Sequence, residues 1–215
     1  MYYLIKPAEP TRDVRMTTPT DQRISEAAIR LFVEKGTTQV TISELAQAAN
    51  VARGTLYRNV GSMADLFDRV VAEFSANLHR RISASFDGID DPAARLATGL
   101  RLWIRYAHDN PTIGRFAVKF GLSEESLRAV MAGPPMRDIN DGVAAGRYHI
   151  GELSIDSIAS LVVGATVSAM WMVFEGHQTW RDAGSSTAEL VLRAMGIEPA
   201  EAREIAMAEL PRLAI

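Results

Sequence analysis

The sequence predicts an all-α protein in which a small N-terminal helical domain precedes a larger C-terminal one. Apolar residues recur at three- and four-residue spacing along most of the 215-residue chain, as they do in amphipathic helices. The alternation of apolar and polar residues that is typical of half-buried strands is nearly absent. Helix breakers, among them Asn110-Pro111 and Gly133-Pro134-Pro135, separate the periodic segments. Hydrophobic residues make up 47% of the chain, which is enough for a packed core.

Residues 1–19 lack this periodicity and contain three prolines, so we expect a flexible N-terminal arm. Met16 is an alternative start of translation within it. No basic segment followed by an apolar run opens the chain, so no signal peptide is expected. The chain has no cysteine, which excludes disulfides and cysteine zinc sites and is consistent with a reducing cytoplasm. We therefore expect a cytoplasmic protein.

Three short helical segments are expected in residues 20–66. The first runs from about residue 21 to residue 35 and ends at Gly36. Thr41 and Glu44 form a capping box at the start of the second, in which each side chain accepts the other residue's backbone N–H. Asn50 tolerates the left-handed conformation that a turn after a helix needs. A third helix, at about residues 52–59, completes a helix-turn-helix.

The third helix is expected to turn one face away from the core. With Leu56 and Val60 placed inward, Gly54 and Arg58 point outward. A short helix after a tight turn is the geometry that enters the DNA major groove, where an arginine can donate two hydrogen bonds to a guanine. On an arbitrary helix such residues would simply be a solvated face. The predicted DNA contacts are Thr41, Arg53, Gly54, Thr55, Tyr57, Arg58 and Asn59.

Residues 44–62 carry a resemblance to a known family. Their sequence, ELAQAANVARGTLYRNVGS, resembles the tetracycline-repressor (TetR) family of transcriptional regulators at the helix, the turn, the Gly-Thr-Leu-Tyr core and the Ser cap. The detailed resemblance covers residues 24–67. Beyond them, the helical layout and the stretch ELVLRAMGI at residues 189–197 are similar to the family.

Four positions depart from the family's pattern. Asn50 replaces a usual glycine, and Val60 replaces a usual aromatic residue. Ala52 replaces the usual serine cap of the reading helix, a loss of about 0.5–2 kcal/mol. Met63 replaces a usual lysine that binds a DNA phosphate. With fewer phosphate contacts, DNA binding is expected to be weaker and to depend less steeply on salt concentration.

The formal charge is divided unevenly along the chain. Through Ser62 there are 8 Lys and Arg against 6 Asp and Glu, a net of +2, and the remainder has 15 against 20, a net of −5. Together they give the overall charge of −3. A basic N-terminal part on an acidic body suits a protein that touches DNA with one end.

Longer helices are expected in residues 67–215. Ser62 and Asp65 form a second capping pair and open the helix that joins the two domains. Residues 157–174 contain no charge, which meets the minimum length of a membrane span. A buried or dimer-interface helix is favoured instead, because the run contains hydroxyl residues and no basic loop orients it. The helices are expected at about 62–83, 92–109, 111–120, 134–148, 156–175, 186–195 and 199–210.

The resemblance implies that residues 67–215 form a helical ligand-binding and dimerisation domain. It implies a homodimer, joined through helices near 156–175 and 186–195, that binds double-stranded palindromic operator DNA as a repressor. A small, mostly apolar effector of unknown identity would release it. An apolar cavity could be lined by six aromatic residues, which could equally be plain core: Trp103, Tyr106, Phe116, Phe120, Trp171 and Phe174.

The residues give little support for catalysis, for a metal or for a cofactor. The four histidines are scattered, with no pair at i, i+4, and neither a phosphate-binding glycine loop nor a nucleophile elbow occurs. No catalytic residue, metal ligand or cofactor is therefore predicted. A helical small-molecule-binding protein with lost or weakened DNA affinity remains the alternative, motivated by Ala52 and Met63. An activator also remains open.

Overall fold

The computed structural model describes residues 18–215, and within that range all regular secondary structure is helical. The eleven helices of this range are α1 (Pro19–Lys35), α2 (Ile42–Ala49), α3 (Arg53–Asn59), α4 (Met63–Ala84), α5 (Pro92–Asp109), α6 (Pro111–Phe120), α7 (Glu124–Met131), α8 (Pro134–Ala144), α9 (Ile155–Phe174), α10 (Trp180–Ala194) and α11 (Pro199–Met207). The all-α prediction is thus confirmed. Most of the predicted N-terminal arm, Met16 included, lies outside the described residues.

The first helix begins earlier than its apolar pattern suggests. Thr18 is the N-cap of α1, and its hydroxyl accepts the backbone N–H of Asp21 at 3.1 Å, while Pro19 occupies the first turn. A proline is tolerated there because the N–H it lacks would have no helical partner. The helix therefore begins inside the segment expected to be an arm, and Gly36 ends it with φ +66°.

Local capping chemistry defines the boundaries of α2 and α4. Thr41 accepts the backbone N–H of Glu44 at 3.2 Å, and Glu44 accepts that of Thr41 at 2.9 Å. Ser62 and Asp65 repeat this arrangement at 3.0 and 2.9 Å. Both boxes satisfy backbone donors that have no helical partner. Asn50 ends α2 with φ 50° and ψ 53°, the left-handed conformation expected of it.

Helix α4 belongs to both halves of the molecule. Its first turns supply Leu66, Phe67 and Val70 to the core that α1, α2 and α3 build. Its last turns supply Leu78 and Ile82 to a separate cluster with Leu102 of α5. The predicted boundary between residues 66 and 67 therefore falls within one continuous helix. A residue from α6, Phe116, completes the N-terminal core.

The C-terminal helices pack around α5 and α10. Their shared core contains Leu96, Ile139, Val162 and Leu192, all of which are buried. Helix α9 buries one face through Ile158, Val162, Thr166 and Met170 at four-residue spacing. By length and composition alone it could cross a membrane, with a mean hydropathy of 1.8.

Several C-terminal elements differ from the sequence prediction. Helix α8 ends at Ala144 and not near Tyr148, and α11 ends at Met207 and not near Leu210. A separate helix, α7, lies between the predicted helix at 111–120 and Gly133, and the Ser123 hydroxyl caps it by accepting the Ser126 N–H at 3.2 Å. Helix α10 begins at Trp180 and not near Ser186, because Thr179 caps it by accepting the Asp182 N–H. The poor helix propensity of Gly184 and its neighbouring serines obscures that start in the sequence.

Candidate nucleic-acid interface and internal cavity

Helix α3 exposes the face that the sequence assigns to DNA. Leu56 and Val60 are buried in the N-terminal core, with 0% and 3% of their surfaces exposed. Because they anchor one side of the helix, Gly54 and Arg58 point away from the core, and Arg53 and Tyr57 lie exposed on one flank. Tyr57 keeps 70% of its surface in solvent, an unusual exposure for a tyrosine.

Gly54 lies on the same exposed face and leaves it uncrowded. A Cβ added there would meet no atom within 4 Å. Nothing inside the protein therefore requires a glycine at this position. The absence of a side chain does allow another molecule to approach the backbone closely.

The remaining predicted contacts are less available. Thr55 and Asn59 are half-buried, and the Asn59 amide donates to the Thr55 carbonyl at 2.9 Å. Thr41 is exposed, but its hydroxyl already accepts from the Glu44 N–H and donates to the Glu44 carboxylate at 2.9 Å. Lys35 binds the same carboxylate at 2.6 Å and, as the largest cause, lowers the pKa of Glu44 to about 2. A phosphate approaching Thr41 would meet an ionised carboxylate.

The two ends of α3 are held in different ways. Ala52 makes no side-chain cap at the start of the helix, as its identity predicts. At the other end, the Arg69 guanidinium donates to the Asn59 carbonyl at 2.8 Å. Arg69 lies on α4, so it ties the end of α3 to that helix. Sequence reasoning missed it because this contact links residues ten positions apart on different helices.

A cavity of about 120 Å³ lies between the six helices α4 to α9. Of the six predicted aromatic residues, Trp103 and Phe116 line it. Its walls are mainly apolar, with Phe74, Leu100 and Met170 among them. The polar side chains on the wall include Ser75 and His79 from α4 and Asp138 from α8.

The other four aromatic residues lie elsewhere. Phe120 packs with Phe32, Phe67 and Phe116 in the N-terminal core. Tyr106 borders a surface groove, Trp171 keeps 44% of its surface exposed, and Phe174 packs against Gly114. Helical spacing alone does not distinguish these roles, since each depends on which neighbouring helix covers the residue.

Two family models match the chain. One, described as bacterial regulatory proteins of the tetR family, covers residues 24–70, and the other, described as the tetracyclin repressor-like C-terminal domain, covers residues 91–208. The chain belongs to the TetR family. The resemblance seen in residues 24–67 is thereby confirmed and extended to the C-terminal half, and TetR-family chains are transcriptional regulators and not enzymes.

A relative in Mycobacterium tuberculosis, the uncharacterized HTH-type transcriptional regulator Rv1255c, is 31% identical over 119 residues. The match covers 55% of this chain and 57% of the relative. The chain thus spans little more than half the length of this curated relative.

Solved TetR-family structures match over most of the chain. The crystal structure of RolR in complex with resorcinol has a TM-score of 0.68 and 26% identity, and the match covers 91% of this chain and 96% of RolR. A TetR-family regulator from Shewanella sp. PV-4 has a TM-score of 0.74 at 22% identity, with 84% and 100% covered, which shows the fold.

In this TetR-family chain, Val71 of α4 and Phe116 of α6 border both the cavity and the N-terminal core. Phe116 lines the cavity and also packs against Phe67, with ring centroids 6.0 Å apart. Phe67 in turn packs edge-to-face on Phe32 of α1 at 5.7 Å. Aromatic pairs at such separations attract one another. A continuous row of rings therefore joins the cavity to the helix-turn-helix.

Proposed function

We propose that this chain is a homodimeric, ligand-responsive repressor that binds palindromic double-stranded operator DNA through α3. The exposed side of α3 carries this proposal, because Arg53, Tyr57 and Arg58 surround an unobstructed Gly54. Two copies in a dimer would meet half-sites one turn of DNA apart. Such a protein would act in the cytoplasm, where the DNA lies.

An exposed apolar face on α9 and α10 supports the homodimer. Leu161 and Trp171 of α9 and Leu190 of α10 keep 40%, 44% and 64% of their surfaces exposed. Gly164 lies on the same side of α9 as Leu161, and a Cβ there would meet no atom within 4 Å. Contact with a second copy would remove these side chains from water.

This face can be tested by changing its charge. Leu190→Glu should convert a dimer into a monomer, because the carboxylate would have to be desolvated at the interface. Leu122→Glu is the matched control, since Leu122 is 60% exposed in the turn between α6 and α7. Light scattering after size exclusion measures the mass. A dimeric Leu190→Glu variant would contradict the proposed interface.

The size of the cavity supports a small, mostly apolar effector. Its volume of about 120 Å³ is close to that of an engineered cavity of about 150 Å³ that binds benzene. RolR, to which this chain is similar over nearly its whole length, binds resorcinol, a molecule of one ring. We propose an effector of comparable size, which would weaken DNA binding by about 1–3 kcal/mol through the helix α4.

Selection of bound sequences from a random DNA pool tests the regulator directly. We expect recovery of an inverted repeat, with salt-dependent affinity. Arg53→Ala should weaken binding to that sequence by about 1–3 kcal/mol. Arg203→Ala, which removes an exposed arginine from α11, should leave binding unchanged. Failure to enrich any sequence would overturn the proposal.

The alternative, a small-molecule-binding protein with weakened DNA affinity, draws on the uncapped start of α3. Ala52 provides no cap, and Met63 packs against the N-terminal core where a lysine would face phosphate. The double change Ala52→Ser and Met63→Lys would create specific DNA binding if this alternative holds. If the native chain already selects an operator, the double variant should only tighten binding.

A further inference from the structure

Two polar side chains of α4 face the apolar cavity without a hydrogen-bond partner in the described part of the chain. Ser75 and His79 both line the cavity, and they keep only 8% and 5% of their surfaces exposed. They are four residues apart, so they lie on the same side of α4, one turn from each other. Their polar atoms are not among the fully enclosed unpaired atoms of the described chain, so they are open to the cavity and can hydrogen-bond to a molecule that enters it.

The other polar side chains of the wall are hydrogen-bonded, charged or, in the case of Ser83, exposed. The Thr166 hydroxyl donates to the Val162 carbonyl at 2.7 Å, and the Ser126 hydroxyl donates to the Phe120 carbonyl at 2.9 Å. The Arg95 guanidinium donates to the Ile89 carbonyl at 2.7 Å and lies 3.9 Å from the Asp138 carboxylate. Ser75 and His79 are therefore the buried polar side chains of the wall that are uncharged and make no hydrogen bond in the described part of the chain.

The imidazole of His79 is held in its neutral form. Burial lowers the pKa of His79 to about 4, so the ring carries no charge near neutral pH. It packs edge-to-face on Trp103, with ring centroids 5.8 Å apart. A neutral imidazole offers one donor and one acceptor, which matches a hydroxyl group and offers no charge to a carboxylate.

We infer that Ser75 and His79 form the polar recognition pair of the cavity, and that its ligand is a neutral single-ring aromatic compound bearing hydroxyl groups. The apolar wall takes the ring, and the pair on α4 binds its hydroxyl. The inference rests on the proposed function in assigning an effector to this cavity. It adds the chemical class of the effector and the residues that select it.

Four probes of similar size test this specificity: toluene, phenol, resorcinol and benzoate. Binding to the full-length protein is measured by titration calorimetry. We expect phenol and resorcinol to bind roughly fivefold or more tightly than toluene, since each new hydrogen bond contributes about 1 kcal/mol. Benzoate should bind more weakly than phenol, because the cavity would have to desolvate its charge. Toluene binding as tightly as phenol would overturn the inference.

Variants of the pair identify the residues responsible. His79→Leu should abolish the preference for phenol over toluene, although toluene should still bind. Ser75→Ala should reduce the same preference. His108→Leu is the matched control, because His108 is exposed beside Trp180 on the far side of α5 from the cavity wall. If His79→Leu does not fold, Ser75→Ala still tests the pair. An unchanged preference in the folded variants would overturn the assignment.

The outcomes separate this inference from the proposed function. Phenol binding that depends on His79 but does not release operator DNA would support the recognition pair and contradict the effector role. Operator binding without binding of any of the four probes would leave the DNA-binding role supported and overturn the ligand class.

Discussion

The Arg69 guanidinium donates a hydrogen bond of 2.8 Å to the Asn59 carbonyl, which lies at the last residue of α3. Carbonyl groups at the end of a helix have no helical partner, and a cation there also interacts favourably with the helix dipole. Arg69 is half-buried on α4, two turns before the cavity residue Ser75. The orientation of α3 is therefore tied directly to the helix that borders the cavity.

Removing this bond should loosen α3. Arg69→Met keeps a long apolar side chain but loses the donor, which should cost about 1–2 kcal/mol of unfolding free energy. Operator affinity should fall as well, although Arg69 is not on the exposed face of α3. Urea unfolding and fluorescence anisotropy with operator DNA measure the two effects. If Arg69→Met lowers the unfolding free energy but leaves operator affinity unchanged, α3 does not need the Arg69–Asn59 hydrogen bond to bind DNA.

Gly54→Ala should separate folding from DNA binding. The free protein has room for the methyl group, and alanine is favoured over glycine in a helix by about 0.5–1 kcal/mol. Stability should therefore rise slightly while operator affinity falls, because the methyl group would meet the DNA. Gly184→Ala is the control, since it makes the same change on α10, where an added Cβ would come no closer than 3.5 Å to Arg101. Unchanged operator affinity would show that the α3 backbone does not approach DNA closely.

Gly99→Leu should fill the cavity from α5. Gly99 lies on the cavity wall, and an added Cβ would come no closer than 3.7 Å to Ile82 and Phe86. A longer side chain continues into the free volume, and helix propensity improves by about 0.5–1 kcal/mol. Single-ring probes should no longer bind, whereas operator binding should persist without release. Calorimetry and anisotropy measure both, and Gly99→Ala should show an intermediate loss.

An ion-pair cluster makes stability depend on pH. Arg147 binds Asp91 through two hydrogen bonds of 2.8 and 2.9 Å and Glu201 through one of 2.7 Å. The bonds from Arg147 are the largest cause that lowers the pKa of Asp91 below its usual 3.8. A carboxyl whose pKa is lowered by folding stabilises the protein above its unfolded pKa and loses that effect as the pH falls through the folded value.

Asp91→Asn tests this dependence while keeping a good helix cap for α5. At about pH 7 the variant should be less stable by about 1 kcal/mol, a modest value because the pair is partly exposed. The difference should shrink as the pH falls below 3.8. Urea unfolding across this range measures it. Asp90→Asn is the control, since Asp90 is exposed and lies 3.9 Å from Arg95. A pH-independent difference would contradict the electrostatic origin.

Local signals in the sequence were sufficient where a few adjacent residues decide the structure. The capping boxes at Thr41 and Ser62 and the left-handed turn at Asn50 depend only on their own neighbours, and each is found as predicted. The outward face of α3 followed from the placement of Leu56 and Val60, since the helical period fixes where the remaining side chains point.

The cavity could not be predicted in the same way. Phe116 and Phe120 are one turn apart on α6, yet Phe116 borders the cavity and Phe120 does not. Which side chain meets empty space depends on how six helices pack, and this information is not present in any single segment. The role of His79 could not be predicted either, because the sequence around an isolated histidine does not show whether a hydrogen-bond partner lies near it in the fold.

Phe116 and Phe120 have a consequence for engineering this protein. Their rings cover Phe32 and Phe67, so a fragment that stops at the end of α4 would expose both phenylalanines to water and should aggregate. A chimera that receives its sensor half from another regulator would need the same two phenylalanines at the same depth. Whether two halves of different origin fit together thus depends on the packing of these four phenylalanines and not on the DNA contacts.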